Sequence, residues 1–282
     1  MTVRTTSPEG VPDDVDLLFS SLPSGVAEAV EPEFLEAGYV ISSNSSNARL
    51  DDDVPLVIPE VNPEHLALID VQRDNRGWDG ALIKNPNCST ITMVPPLYAL
   101  DTFGIESVQV ATLQAVSGAG YSGVTSMEII DNAIPYIGGE EEKMETESRK
   151  LLGDLDGDGV SWHEAGVDAS CNRIPTIDGH LENVFVELEE DPSVEAVTEA
   201  LRSAPTQDLP TAPDPLIHVF EDPFRPQPRL DRMMGDGMAI AVGGVTETDP
   251  GVRFNVLAHN TIRGAAGAAV LNGELLLEEG WL

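Results

Sequence analysis

Residues 80–90 read GALIKNPNCST, in which an apolar run ends at an Asn-Pro-Asn-Cys turn and a Ser-Thr pair follows. Short apolar runs of this kind are typical of strands buried in a parallel sheet. The stretch predicts a strand, a turn and then a helix, with Cys88 at the helix N-terminus. The pattern of the sequence also differs on the two sides of Cys88, so this stretch decides how the chain divides.

Before Cys88, short apolar runs alternate with helical patterns. We predict strands at residues 15–19, 39–42, 56–61 and 80–84. Helices are predicted over residues 25–37 and from Asn62 onward, where Pro63 suits the first helical position. This alternation predicts a parallel α/β sheet whose functional residues lie at the carboxyl ends of its strands.

After Cys88, longer segments alternate apolar and polar residues, which is typical of strands with one buried face. We predict strands at residues 107–115, 167–173, 184–188, 238–242 and 253–258. Helical patterns cover residues 89–103, 191–203 and 261–277. Pro95 and Pro96 are expected to kink or split the first of these helices. The proline-rich residues 204–215 and 221–230 are expected to be surface loops. This half is therefore predicted to be a mixed sheet with helices on one face.

The chain is strongly acidic, with 49 Asp and Glu residues against 15 Lys and Arg residues and a formal net charge of −34. Such a charge repels nucleic acid and anionic lipid, so we expect neither nucleic acid nor a membrane as a partner. Concentrated salt would screen the self-repulsion, because the Debye length falls to about 3 Å at 1 M. We therefore expect a halophilic protein from an organism with a high-salt interior. A merely acidic protein from a low-salt organism is the alternative.

No apolar run approaches the ~20 residues that cross a bilayer, and the N-terminus lacks the pattern of a signal peptide. The two cysteines, Cys88 and Cys171, are too few for a disulfide scaffold. We expect a reduced, cytoplasmic protein.

Cys88 is the most informative residue for chemistry. A thiol at a helix N-terminus lies near the positive end of the helix dipole and near free amide groups, so its pKa is expected to be lowered. The same amides are suited to stabilising an oxyanion on a carbon that the thiolate attacks. A buried structural cysteine is the alternative, and the local sequence leaves both open.

Other motifs carry polar groups that suit catalysis, although each alone is more often structural. Gln114 begins a run of small residues, QAVSGAG at 114–120, which permits a ligand to approach the backbone. Arg173 and His180 lie on either side of a turn, and they suit carboxylate binding and proton transfer respectively.

The run DLDGDG at residues 154–159 imitates the start of a calcium-binding loop, but its twelfth position is Ala165 rather than the required glutamate. We interpret it as an acidic surface loop, and calcium binding is the weaker alternative. The five histidines show no metal-ligand spacing, so no metal site is expected.

Taken in order, several motifs resemble the aspartate-semialdehyde dehydrogenase family, in particular its archaeal and fungal branch. The matching stretches are NPNCSTI at 85–91, QAVSGAGYSGV at 114–124, IPYIGGEEEKM at 134–144, CNRIPTIDGH at 171–180 and HNTIRGAAGAAV at 259–270. The similarity covers nearly the whole chain from about residue 15 onward. It implies an oxidoreductase that reduces 4-aspartyl phosphate to aspartate 4-semialdehyde with NADPH and releases phosphate, in the biosynthesis of lysine, threonine and methionine.

The resemblance also implies a role for individual residues. Cys88 would attack the acyl phosphate and form a thioester, with Gln114 orienting the substrate and His180 as the acid/base. Arg173 would bind the substrate carboxylate. The implied phosphate pocket is lined by Arg49, Glu140 and Lys143.

An NADP site and a homo-oligomer are implied as well. The implied cofactor contacts are Ser21, Pro23, Asn44, Ser117, Gly118 and Asn260. Family members form dimers or tetramers, so a homodimer or homotetramer is expected. The expected α/β fold has a partial Rossmann-like NADP-binding domain (residues 1–87) and an α+β catalytic and dimerisation domain with a mixed sheet (residues 88–258). Residues 259–282 would form a C-terminal helix that returns to the first domain.

The chain departs from the family pattern at its start. Family members begin with a strand and a glycine-rich turn, GxxGxVG, whose backbone holds the cofactor phosphates, and no such turn occurs here. We expect the sequence to be truncated by about 60 residues or more, since a βαβ unit takes ~30 residues.

Other functions stay open at this point. A paralogous acyl-CoA reductase such as malonyl-CoA reductase shares the cysteine chemistry, and the implied phosphate pocket favours the acyl phosphate only modestly. N-acetyl-glutamyl-phosphate reductase fits less well, because its cysteine segment differs. The alternative from another class is a non-catalytic truncated fragment that is unable to bind the cofactor.

Overall fold

The computed structural model describes residues 3–121 and 123–282. The strands are β1 (Leu17–Ser20), β2 (Val40–Ser43), β3 (Ala81–Lys84), β4 (Ile105–Gln114), β5 (Asp154–Asp156), β6 (Gly159–Ser161), β7 (Gly166–Arg173), β8 (His180–Leu188), β9 (Ile217–Phe220), β10 (Ile240–Glu247) and β11 (Val252–Ala258). The helices are α1 (Ser24–Glu36), α2 (Leu68–Arg76), α3 (Thr90–Leu100), α4 (Ser126–Ile129), α5 (Glu140–Leu151), α6 (Val194–Arg202), α7 (Pro228–Asp231) and α8 (Gly267–Glu278).

The first sheet is parallel and has the strand order β1-β2-β3. Every residue of β2 and β3 is buried, because α1, α2 and α8 pack against the strands. Strands buried on both faces are apolar along their whole length, and this is why the runs were visible in the sequence. Parallel strands end at the same edge, so the loops that follow Ser20, Ser43 and Lys84 lie side by side.

The predicted strand at residues 56–61 is wrong. Only Leu56 forms a β-bridge, to Lys84, and the chain then turns. The segment is apolar because Leu56, Ile58 and Val61 are buried in a cluster with residues of α3 and α8. An apolar run indicates that a segment is buried, and a buried loop produces the same pattern as a buried strand.

The second sheet is mixed, with the strand order β7-β4-β8-β11-β10-β9. The pairs β4–β7 and β9–β10 are parallel and the other three are antiparallel. Inward-facing residues such as Val110, Val184 and Val186 form the largest apolar core with Met93 and Leu97 of α3. The predicted mixed sheet is confirmed, whereas α5, β9 and the small β5–β6 sheet were not predicted.

Helix α3 runs through Pro95 and Pro96 without the expected split. Each proline removes a helical hydrogen bond, but every residue from Thr90 to Leu97 is buried. Burial of this apolar helix against the mixed sheet outweighs the lost bonds.

The C-terminal helical pattern begins with a π-helical turn (Ile262–Ala266) and continues as α8. Helix α8 packs against β1 and β2, where the Ser42 hydroxyl donates a hydrogen bond to the Ala269 carbonyl at 3.1 Å. This helix therefore covers the parallel sheet. The expected division at residues 87 and 258, and the expected truncation, stay predictions.

Candidate active site

Cys88 lies in the turn between β3 and α3, where the first helical amides need partners. The Asn87 Oδ1 atom accepts hydrogen bonds from the backbone N–H groups of Ser89 (2.8 Å) and Thr90 (3.2 Å). The Thr92 hydroxyl donates to the Cys88 carbonyl at 2.9 Å. The turn therefore fixes the cysteine backbone, and two amides that were expected to face an oxyanion already bind Asn87.

His180, the first residue of β8, contacts the sulfur: its Nε2 lies 3.3 Å from Cys88 Sγ. Its Nδ1 accepts a hydrogen bond from the Ala115 N–H at 3.1 Å, so the neutral ring carries its proton on Nε2. Burial, together with the charges of Arg173 and His259, lowers the pKa of His180 to about 3. The imidazole is therefore neutral and acts toward the sulfur as a hydrogen-bond donor.

The expected lowering of the thiol pKa is wrong. Burial, followed by the negative charge of Glu140, raises the pKa of Cys88 to about 12, while Arg49 and Arg173 act in the opposite direction. The helix N-terminus offers little compensation, because Asn87 occupies its first amides. Cys88 is therefore a thiol near neutral pH.

Gln114, the last residue of β4, is fully buried and connects two polar groups. Its Nε2 donates to Ser89 Oγ and, at 3.2 Å, to Glu140 Oε1. Asn87 Nδ2 donates to the same carboxylate oxygen at 2.9 Å, and the Lys143 ammonium lies 3.6 Å from Glu140 Oε2. Glu140 thus joins the cysteine turn, the end of β4 and a lysine.

Arg49 extends this network on the side of the parallel sheet. Its Nη1 donates to Glu147 Oε1 and its Nη2 to the Asn44 carbonyl, both at 2.8 Å. The second Glu147 oxygen, Oε2, accepts from the Asn87 N–H at 2.6 Å. One buried carboxylate therefore connects the arginine to the residue that precedes the cysteine.

A cavity of about 380 Å³ opens beside Cys88, lined by loops that follow β1, β2, β3 and β4. The predicted site residues on its wall are Pro23, Asn44, Arg49, Cys88, Ser117, Gly118, Glu140, Lys143 and Asn260. Gln114, Arg173 and His180 are buried behind this wall. Ser21 lines a neighbouring groove instead, so the structure brings together every predicted site residue except Ser21.

The backbone approaches the reactive groups closely at two glycines of the wall. A Cβ atom at Gly264 would lie 2.7 Å from Cys88 Cβ, and one at Gly118 would lie 2.8 Å from Arg173 Nη1. At Gly264 the contact is with atoms next to the backbone of Cys88, so this position requires glycine. At Gly118 the end of the Arg173 side chain would have to shift.

Sequence reasoning did not assign roles to Asn87, Ser89, Glu147 and Gly264. Asn87 and Ser89 were visible as polar neighbours of the cysteine. Glu147 lies two helical turns after Glu140, and this spacing places both on one face of a helix. Gly264 lies in the glycine- and alanine-rich stretch RGAAGAA at 263–269. A glycine inside a helical pattern often marks close packing, so its close approach to a neighbour could have been predicted.

Glu182 of β8 was also missed, and it has no hydrogen-bond partner for either carboxylate oxygen among the described residues. Burial and the charge of Glu140 raise its pKa well above the usual range. Both effects favour the protonated, neutral form of the Glu182 carboxyl.

The calcium-like run forms the β5–β6 hairpin rather than a loop. Within residues 3–121 and 123–282, no group of three or more His, Cys, Asp or Glu side chains is arranged to hold a metal ion. In the same part of the chain no helix is long and apolar enough to cross a membrane.

Two family models match the chain: the NAD-binding domain of semialdehyde dehydrogenases over residues 1–69, and their dimerisation domain over residues 94–263. The chain belongs to the semialdehyde dehydrogenase family. The predicted family, its α/β fold and its nucleotide-binding domain are confirmed.

Among relatives in the semialdehyde dehydrogenase family, aspartate-semialdehyde dehydrogenase of Archaeoglobus fulgidus is 54% identical over 94% of this chain and 78% of its own. Malonyl CoA reductase (NADP) of Metallosphaera sedula is 41% identical over 99% of this chain and 81% of its own. The crystal structure of aspartate-semialdehyde dehydrogenase with NADP from Candida albicans superposes with a TM-score of 0.89 at 38% identity. That match covers 100% of this chain and 83% of the other.

Proposed function

We propose that the chain is an NADP-dependent aspartate-semialdehyde dehydrogenase that converts 4-aspartyl phosphate to aspartate 4-semialdehyde through a thioester on Cys88. The contact of 3.3 Å between Cys88 Sγ and His180 Nε2 carries this proposal. It places a nucleophile and a proton donor together at the wall of one cavity. The identity of 54% to the A. fulgidus enzyme supports the substrate.

In the first step the Cys88 sulfur forms a bond to the carbonyl carbon of the acyl phosphate. The C–O bond to the phosphate breaks, and phosphate leaves with the bonding electrons and the thiol proton. Splitting the reaction through an acyl-enzyme is ordinary nucleophilic catalysis. The His180 Nε2–H is directed at the sulfur and stabilises the negative charge that develops there and on the adjacent oxygen.

The raised pKa of Cys88 sets the timing of this step. The thiol is not ionised before the substrate binds, so it is protected from side reactions with other electrophiles. Attack begins when the acyl phosphate, which accepts the proton on leaving, reaches the sulfur.

Cationic residues bind the two ends of the substrate. Arg49 and Lys143 line the cavity on one side of Cys88 and supply positive charge for the phosphate. Arg173, buried behind Gly118, suits the substrate carboxylate, and its Nη1 donates to the Ala115 carbonyl at 2.6 Å. Gln114 holds Ser89 and Glu140 and so fixes the wall between these two ends.

Pro23, Asn44, Ser117, Gly118 and Asn260 would hold the cofactor, since they line the cavity that contains the sulfur. The bound cofactor would supply a hydride to the thioester carbon. The C–S bond would then break to release the semialdehyde, and the Cys88 sulfur would regain a proton from solvent. The Asn260 Nδ2 group donates to Ser117 Oγ at 2.8 Å and keeps these two residues in place.

Several finer features belong to the same proposal. Both cysteines are free, which fits a reducing cytoplasm. The net charge of −34 fits a protein that works in concentrated salt. The match to the dimerisation domain supports a homodimer or homotetramer, and the substrate implies a place in lysine, threonine and methionine biosynthesis.

The second candidate is an acyl-CoA reductase, because the M. sedula relative is 41% identical. Both reactions pass through a thioester on the cysteine, but only the first needs a pocket for the phosphate of an acyl phosphate. The buried position of Arg49 on the cavity wall favours the acyl phosphate.

The test follows NADPH formation from aspartate semialdehyde and NADP in concentrated KCl, with phosphate or coenzyme A as acceptor. We expect phosphate-dependent turnover that Cys88→Ala removes. Turnover with coenzyme A and none with phosphate would establish the second candidate. A folded chain that turns over neither would contradict the proposed activity.

A further inference from the structure

We propose that Lys150 is a positioning residue for the phosphate site: its ammonium group, buried behind Arg49, holds the backbone of residues 49–54 so that the Arg49 guanidinium faces the cavity. This inference rests on the proposed function, in which Arg49 binds phosphate.

Lys150 lies in the last turn of α5, and its side chain has no solvent exposure. Its Nζ donates three hydrogen bonds, to the carbonyls of Arg49 (3.0 Å), Asp51 (2.7 Å) and Val54 (2.8 Å). An ammonium group has three donors, so this one group satisfies three carbonyls of a loop. The loop has turn hydrogen bonds, from the Asp51 N–H to the Ala48 carbonyl at 3.3 Å and from the Val54 N–H to the Asp51 carbonyl at 3.1 Å. Arg76 holds the side chains of Asp51 and Asp53 from outside. Lys150 adds three bonds to the backbone and binds the Arg49 carbonyl itself.

The same helix also holds the side chain of Arg49. Glu147 lies one turn before Lys150, and it accepts from Arg49 Nη1 at 2.8 Å. Glu140 and Lys143 precede them at helical spacing, so the four side chains share one face of α5. The two residues near the helix start lie on the cavity wall, while Glu147 and Lys150 fix the arginine from behind.

Within the part of the chain that the structure describes, the positive charge of Lys150 has no close negative partner. Its three partners are neutral carbonyls, and the described residues include no carboxylate within ion-pair distance of its ammonium. The buried charge is therefore incompletely compensated, and burial lowers the pKa of Lys150 to about 8. Three nearby carboxylates favour the charged form of Lys150, namely Asp51, Asp52 and Asp53, and the charge of Arg76 opposes it. The charge of Lys150 in turn lowers the pKa of His65.

Loss of the proton changes the number of hydrogen bonds. A neutral amine has two N–H donors, so one of the three carbonyls loses the Lys150 donor on deprotonation. The Asp51 carbonyl also accepts from the Val54 N–H at 3.1 Å, so a carbonyl is left unpaired when the lost bond is the one to Arg49 or Val54. An unpaired buried carbonyl is unfavourable, and the loop that carries Arg49 relaxes. The affinity for phosphate is therefore expected to fall as the pH rises through about 8.

The test measures KM for phosphate, KM for aspartate semialdehyde and kcat at pH 7 and pH 9 in wild type, Lys150→Met and Lys143→Met. Lys150→Met is expected to raise KM for phosphate about tenfold at pH 7, with little change in KM for the semialdehyde. It is also expected to remove the rise in KM for phosphate that wild type shows between the two pH values. Lys143→Met weakens phosphate binding directly and retains that rise. Ionisation of phosphate itself is common to all three proteins and cancels in the comparison.

Arg49→Met separates this inference from the proposed function. If Arg49→Met leaves KM for phosphate unchanged, the assigned phosphate site is wrong. If Arg49→Met raises it but Lys150→Met does not, only the inference is overturned. Should Lys150→Met fail to fold, Lys150→Arg decides, because arginine keeps its charge across this pH range: a rise in KM for phosphate from pH 7 to pH 9 equal to that of wild type also overturns the inference.

Discussion

Two concave regions of the molecule contain a histidine and several carboxylates, and they differ in what surrounds the histidine. The Cys88 cavity, of about 380 Å³, places His180 against a thiol. A larger concavity, of about 520 Å³, lies at the other end of β4, and there His163 Nε2 lies 3.1 Å from Asp101 Oδ1. The larger one has no cysteine, lysine or arginine among the described residues of its wall.

The larger volume therefore does not coincide with the groups that suit catalysis. At the Cys88 cavity, the buried cations Arg49 and Arg173 and the neutral His180 surround one nucleophile. In the larger concavity, Asp101 pairs with the partly exposed His163, and Glu106 and Glu189 lie on the same wall. The cations make the first region better suited to an anionic ligand than the second, whose wall carries carboxylates and one histidine.

His180→Asn tests the first half of this comparison and has the largest expected effect. It removes the hydrogen bond to Cys88 Sγ, and we expect kcat to fall by about 10³-fold, within the range for an acid/base group. Steady-state kinetics with phosphate and aspartate semialdehyde measure it. If His180→Asn keeps about a tenth or more of the wild-type kcat, His180 does not take part in the chemical step.

Gly264→Ala sharpens the comparison at the sulfur itself. The added Cβ would lie 2.7 Å from Cys88 Cβ, so the cysteine or the π-helical turn must shift. Displacements near 1 Å cost about 10²-fold in rate, and we expect a loss in kcat of that order.

The matched control is Gly25→Ala in α1, where an added Cβ meets nothing within 4 Å. It should leave kcat unchanged. Equal rates for the two alanine variants would show that the close approach at Gly264 has no catalytic consequence.

Glu182→Gln tests whether the acid near the Cys88 cavity is neutral. Its pKa is raised above the usual 4.5 in the folded protein, so the unfolded chain binds fewer protons between these two pKa values. The free energy of unfolding of wild type therefore falls by about 1.4 kcal/mol per pH unit in that window through this group alone. The glutamine variant lacks that term, and it should gain stability relative to wild type as the pH rises from 5 to 7.

Chemical denaturation of both proteins across this pH range measures the effect. A stability difference that does not change with pH would mean that Glu182 ionises normally in the folded protein.

His163→Asn has the smallest expected effect and completes the comparison. It breaks a partly exposed pair with Asp101, and such pairs contribute about 0–1 kcal/mol to stability. We expect kcat and both KM values to stay within about twofold of wild type. A large loss of activity would show that the larger concavity takes part in the reaction.

The sequence predicted the features that depend on local pattern. The buried parallel strands, the alternating strands and the segments that meet at Cys88 were all visible, because burial on one or two faces sets their residue types. The predicted strand at 56–61 was wrong, and α3 is not split at Pro95 and Pro96, because tertiary packing decided both. A kink at the prolines stays a prediction.

The chemistry of Cys88 was harder to predict than its position. Its raised pKa depends on burial and on Glu140, which lies 52 residues away in the chain. The capping of the helix by Asn87 was also hidden, since the sequence does not show which way an asparagine side chain turns. Unpaired Glu182 and three-carbonyl binding by Lys150 depend on contacts between distant segments.

The distribution of lysines has a practical consequence for chemical labelling. Lys84 and Lys150 have no solvent exposure, and Lys143, with about a third of its side chain exposed, lies on the wall of the Cys88 cavity. An amine-reactive dye or cross-linker therefore finds its accessible lysine where the substrate is expected to bind. Attachment of the folded protein to a support through lysine side chains would orient it with that cavity toward the surface and block it.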